Sequence, residues 1–238
     1  MHFTEYILLF LTAIVGGSLY LVTKRTNLKN LKLALAFSGA YLFSISIVHL
    51  IPGLYNGSGE NVGLYILAGF FLQLILEYFS RGIEHGHIHV HKEANPSIPF
   101  SLMIGLCVHS FLEGMPLTSE MGHGQHHSSL LAGIILHHMP VAFALVAMLS
   151  ESGIKMGKVM SMLIIFALMT PLGAWFSNLL EHTDILDIRS YYHNIMGIVI
   201  GIFLHISTTI LFETGSDHKY NRSKILVILC GAALAVFA

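Results

Sequence analysis

The sequence predicts an all-α integral membrane protein with eight transmembrane helices and both termini extracytoplasmic. Three observations carry this. Of 238 residues, 54% are hydrophobic and only 11% charged, with a mean hydropathy of +0.71; soluble domains carry about 25% charged residues. Apolar runs recur along the whole chain, and a bilayer takes about 20 apolar residues per helix. With eight spans and the N-terminus outside, the inner connections hold Lys24, Arg25, Lys29, Lys32, Arg81, Lys92, Lys155, Lys158, Lys219, Arg222 and Lys224. Only Arg189 of the twelve Lys and Arg falls outside, the bias that cytoplasmic loops show. A span too many or too few in the middle would scramble it. The chain reads as a single domain with spans near residues 5–23, 33–52, 62–79, 98–117, 129–150, 157–180, 191–212 and 224–238.

No Lys or Arg precedes the first run, whereas Lys24, Arg25, Lys29 and Lys32 follow it. A signal peptide has its positive charge in front, so the sequence predicts a retained span with an outside N-terminus. The second run ends at His49-Leu50-Ile51-Pro52-Gly53. The third carries Gln73 and Glu77 near its cytoplasmic end; they read as an interfacial pair reaching toward water or as a polar patch on an exit. Residues 80–97 form a cytoplasmic loop containing Glu84-His85-Gly86-His87-Ile88-His89-Val90-His91. In an extended chain, His85, His87, His89 and His91 fall on one side, and such tracts bind metal adaptably.

The fourth and fifth spans hold the stretches that the rest is read against: His109-Ser110-Phe111-Leu112-Glu113-Gly114 and His137-His138-Met139-Pro140-Val141. Ionisable groups at membrane depth are costly and mark functional sites by default. His109 and Glu113, four apart, share a helix face, and a histidine with a carboxylate at that spacing can chelate a divalent transition metal. His137 and His138 point about 100° apart, so both reach one site only in part. Pro140 leaves the Leu136 carbonyl without its helical donor, as Pro116 does for Leu112. Gly133 would let another helix come close. Between these spans, Glu120, His123, His126 and His127 suggest an extracellular metal-gathering mouth.

The sixth span carries Thr170-Pro171-Leu172-Gly173, and the seventh His193, Asn194 and His205. His193 reads as interfacial; deep His205 reads equally as a satisfied core histidine or as a partner to a site. The eighth run is short. Cys107 and Cys230 lie in apolar runs and predict no disulfide. A net charge of −1 gives no argument for nucleic acid or for an acidic substrate. The partners are a divalent metal ion and the lipid bilayer. Histidine with one carboxylate favours zinc or iron over calcium or magnesium, which prefer oxygen. The rival reading is an intramembrane zinc hydrolase, with His109, His137, His138 and Glu113 as ligands and acid/base. Enzymes, however, do not need histidine clusters at both mouths. A third reading is a sensor or chaperone that holds metal without moving it.

At these residues the sequence resembles the ZIP (zinc- and iron-regulated transporter-like) family. His109-Ser110-Phe111-Leu112-Glu113-Gly114 matches its fourth-span H-S-x-x-E-G, and His137-His138-Met139-Pro140 matches its fifth-span H-x-x-P, with Val141 where Glu is usual. His49-Leu50-Ile51-Pro52 is similar to the second-span H-L-[LI]-P, and Pro171-Leu172-Gly173 to the sixth-span P-L-G. The resemblance implies uptake of zinc, or of iron, manganese, cobalt or cadmium, into the cytoplasm across a plasma (inner) membrane, often by a homodimer. It implies spans one, four, five and six moving against the others, and a non-enzymatic role. Members with two adjacent metals place amides or acids where this chain has Ser110, His138, Val141 and Thr170. Two dications a few ångströms apart repel and need several negative charges, and Glu113 is the one carboxylate left here. The expectation is one metal held by His109, Glu113 and His137, with His138 or His49 completing the shell and Ser110 as a further candidate.

Overall fold

The computed structural model describes residues 2–23, 28–57, 61–80, 82–83, 98–117, 127–182, 188–212 and 222–238, and among them every regular element is helical. The elements are α1 (Phe3–Thr23), α2 (Leu28–Ile45), a π turn (Ser46–Leu50), α3 (Ile51–Gly57), α4 (Val62–Ser80), α5 (Ile98–Gly114), α6 (His127–Glu151), α7 (Met156–His182), α8 (Ile188–Phe212) and α9 (Arg222–Val236). α2, the π turn and α3 run on as one rod, so the described helices make eight rods. Six reach the length and apolarity needed to cross a bilayer; α5 and the 15-residue α9 are shorter.

The second rod and α5 differ from the sequence reading at their ends. The second rod begins at Leu28 and reaches Gly57, because nothing at Lys29 or Lys32 breaks a helix. Its π turn stands just before Pro52. A proline ring collides with the carbonyl four residues back in a regular α-helix; here the ladder widens instead, and the Ile51 N–H donates to the Ser46 carbonyl five residues back. α5 ends at Gly114, short of Leu117, as the chain turns through Pro116 with the Leu117 N–H on the Gly114 carbonyl at 3.0 Å. α6 ends at Glu151 and is stopped by Gly153, whose φ of +76° suits glycine. The Ile154 N–H donates to Leu149 and the Gly153 N–H to Ser150, the paired bonds of a Schellman stop.

Packing sorts the helices into two sets. α1 lies on α6 and α7, and α5 on α7; α2 lies on α9 and α8, and α4 on α8. The sets meet chiefly where α4 touches α5 and α2 touches α6. Close approach within the sets uses small residues, as membrane helices without a hydrophobic drive to associate must. A Cβ at Gly114 would collide with the Thr170 carbonyl, and one at Gly173 with that of Phe111; Gly16 stands likewise on Met139, Gly69 on Ile198 and Gly201 on Ile66. At Gly133, α2 comes close through Tyr41 and Leu42, and the Tyr41 hydroxyl donates to the Ser129 carbonyl at 3.0 Å.

The buried apolar residues form two layers. One contains Leu9, Tyr41, Leu42, Leu130, Ile134 and Phe203; the other contains Leu106, Val141, Leu145, Leu163, Phe166 and Ile206. α6 contributes Ile134 to the first and Val141 to the second; Leu117, just after α5, belongs to the first, and Leu106 of α5 to the second. His137 and His138 therefore fall between the layers, as do His109 and Glu113.

Candidate metal centre

α5 presents His109 and Glu113 one turn apart, and α6, the most buried of the span-length helices, presents His137 and His138. All four side chains are buried, with Glu113 and His137 fully so. His109, Glu113 and His137 each bring one ligand atom to within 4.8 Å of the others. The His109 Nε2 lies 3.2 Å from Glu113 Oε1, and the His109 and His137 rings stand edge to face at 6.2 Å and 88°. Around a tetrahedral zinc with bonds of about 2.1 Å, donor atoms sit about 3.4 Å apart. The three donors thus need only small rotations to close on an ion.

His138 stands differently. Its Nε2 is 2.7 Å from Glu113 Oε2, and its Nδ1 is 3.3 Å from the Thr170 hydroxyl on α7. The Phe166 ring lies tilted against it at 5.5 Å. Ser110, Val141 and Thr170 are buried beside the cluster. The Ser110 hydroxyl makes no hydrogen bond with the described residues.

His49 is not part of this group: its Nε2–H donates to the Ala235 carbonyl of α9 at 2.9 Å. Of the loop histidines, His85, His87, His89, His91, His123 and His126 lie outside the described residues, as does Glu120. His127 opens α6 and sits 3.2 Å from Glu5 of α1, which ties the two helices at their N-terminal ends. Gln73 is buried, and Glu77 lies 3.6 Å from His205, whose ring meets Phe70 edge-on at 4.8 Å. This pairing of α4 with α8 escaped the sequence reading; the i, i+4 spacing of Gln73 and Glu77 toward a deep histidine was its one signal. Thr170 likewise drew attention only as a departure from a motif, not as the neighbour of His138. Cys107 is half-buried, and Cys107 and Cys230 are free thiols.

The stretch that carries the cluster is similar to known proteins. Residues 96–238 match the family described as ZIP Zinc transporter. The chain is 28% identical to Zinc transporter ZIP9 of Micropogonias undulatus over 46% of this chain and 36% of that protein. It is 27% identical to Zinc transporter ZIP1 of Danio rerio over 62% and 49%, and 23% identical to Zinc transporter zipt-7.1 of Caenorhabditis briggsae over 90% and 72%. The match to ZIP9 thus spans about a third of that relative's length and the match to ZIP1 about half. The family match takes in α5 to α9, and with them every residue of the cluster: the chain is a multi-pass membrane protein and belongs to the ZIP zinc transporter family.

Proposed function

We propose that this protein carries a divalent transition metal, zinc foremost, across the membrane into the cytoplasm, and that the ion passes one site made by His109, Glu113 and His137. The observation that carries the proposal is the convergence of these three buried donors from α5 and α6. Two imidazole nitrogens and one carboxylate suit zinc, iron, manganese, cobalt or cadmium better than calcium or magnesium. A site of three protein donors, open at a fourth position, binds the ion and still lets it leave. Among the described residues Glu113 is the buried carboxylate at this level, which supports a single ion.

The charge bias supports eight spans with both termini outside; uptake into the cytoplasm puts the protein, on this reading, in a plasma (inner) membrane. In that orientation His127 and Glu5 mark the outer mouth. Glu77, a quarter exposed, and His205 stand toward the cytoplasmic end of α4, as a polar step on the way out. All three donors come from one chain, so a homodimer would hold two complete paths. The relatives are named as transporters, and nothing among them favours an intramembrane hydrolase.

The test is zinc flux into liposomes holding the purified protein, followed by an internal fluorescent chelator across several metals. The expected result is saturable uptake that Glu113→Ala abolishes, with no hydrolysis of lipid or peptide. A folded protein that passes no divalent metal would overturn the proposal.

A further inference from the structure

We infer that His138 is not a metal ligand: with Thr170 it forms a positioning relay that offers Glu113 to the ion through Oε1 alone. This rests on reading the cluster as the metal site. At 2.7 Å the His138 Nε2 and Glu113 Oε2 are too close for two lone pairs, so the nitrogen carries the proton and donates to the carboxylate. In a neutral ring the other nitrogen is then an acceptor. The Thr170 hydroxyl, 3.3 Å from Nδ1, is the donor that fits it. Both ring nitrogens of His138 are thus occupied, and the Phe166 ring at 5.5 Å backs the imidazole.

One oxygen of Glu113 is committed to this relay. The other, Oε1, accepts no hydrogen bond from the described residues and lies 3.2 Å from the His109 Nε2, inside the group that also contains His137. The carboxylate is held by one edge and ligates by the other. α6 therefore divides two adjacent histidines between two tasks: His137 faces the ion, and His138, about 100° around the helix, orients the neighbouring helix's ligand. α7 enters the site through the Thr170 hydroxyl and the Phe166 ring, both on His138. Partners that hydrogen-bond a ligating group set its orientation, and their loss costs about 10- to 100-fold in metal affinity.

The experiment uses the full chain with His85, His87, His89, His91, His123 and His126 replaced by Ser, so that loop histidines bind no zinc. X-ray absorption at the zinc edge counts imidazoles, and equilibrium titration gives affinity. The expected count is two imidazoles in the parent, in His138→Gln and in Thr170→Val. His138→Gln, which keeps a donor toward Glu113, should hold affinity within a few-fold. His138→Ala and Thr170→Val should each weaken it by about 10-fold or more. Three imidazoles in the parent falling to two in His138→Gln would make His138 a ligand and overturn the relay alone. Unchanged affinity in both His138→Ala and Thr170→Val would overturn it as well. Absence of bound zinc in the folded parent would remove the metal site and the relay together.

Discussion

Replacing Gly114 by alanine tests whether the spacing of α5 and α7 sets the geometry of the cluster. A Cβ there would collide with the Thr170 carbonyl oxygen and stand 2.9 Å from its carbon and 3.1 Å from the Ala174 nitrogen. Carbon contacts are comfortable at about 3.5–4.0 Å, so the two backbones must part by about 1 Å. The strain of such overpacking is about 1–3 kcal/mol, less than the roughly 5–15 kcal/mol that keeps a domain folded. The protein should therefore fold, but with Glu113, the residue before Gly114, displaced from Thr170 and His138. A displacement of about 1 Å at positioned groups costs on the order of 100-fold in function. Zinc flux in liposomes should fall by about 10- to 100-fold while the helical circular dichroism is retained. Gly157→Ala is the control, because nothing lies within 4 Å of a Cβ at that position, and its flux should equal that of the parent. Parent-like flux in Gly114→Ala would show that the α5–α7 spacing does not govern the site.

Four further outcomes are expected. Glu113→Ala removes the carboxylate from the cluster and should abolish flux, whereas Ser110→Ala, which deletes a buried hydroxyl with no hydrogen bond to the described residues, should cost only a few-fold; the reverse order would exchange their roles. Val141→Glu adds a second buried carboxylate at a position 1% exposed; it should lower the zinc dissociation constant and slow turnover, and an unchanged constant counts against Glu113 being the site's limiting charge. Cysteines at positions 109 and 137, where the rings are 6.2 Å apart, should be bridged by cadmium or a bifunctional thiol reagent; no bridge in a folded protein would set α5 and α6 apart. Replacing His85, His87, His89 and His91 by Ser should leave most flux at saturating zinc, and complete loss in a normally expressed protein would place the loop on the path.

The helices were legible because membrane spans announce themselves by continuous apolarity, which needs no partner to be read. His109 and Glu113 were legible for a related reason: four residues on a helix fix a shared face whatever surrounds it. What the sequence withheld depends on which helix lies next door. His49 sits in a motif that suggests a ligand, yet its ring meets the Ala235 carbonyl of α9, 186 residues away. The division of labour between His137 and His138 required knowing that α7 brings Thr170 to one of them. The sequence leaves Glu77 between an interfacial carboxylate and a polar patch on an exit, because only the α4–α8 contact reveals His205 opposite. The rod ends moved for local reasons: Lys29 and Lys32 lie at a helix start that hydropathy alone places later.

The wide turn at Ser46–Leu50 gives the second rod a property that its neighbours lack. A π turn holds one residue more than the α-helix needs, so α3 is rotated by about 100° from where an unbroken helix would carry it. Pro52, with no N–H to give, stands directly after the widened turn, so the ladder lacks a donor just where it would close again. The faces of α2 and α3 are thereby set in separate registers, and α3 turns its side chains by one residue's angle without a loop to interrupt the rod.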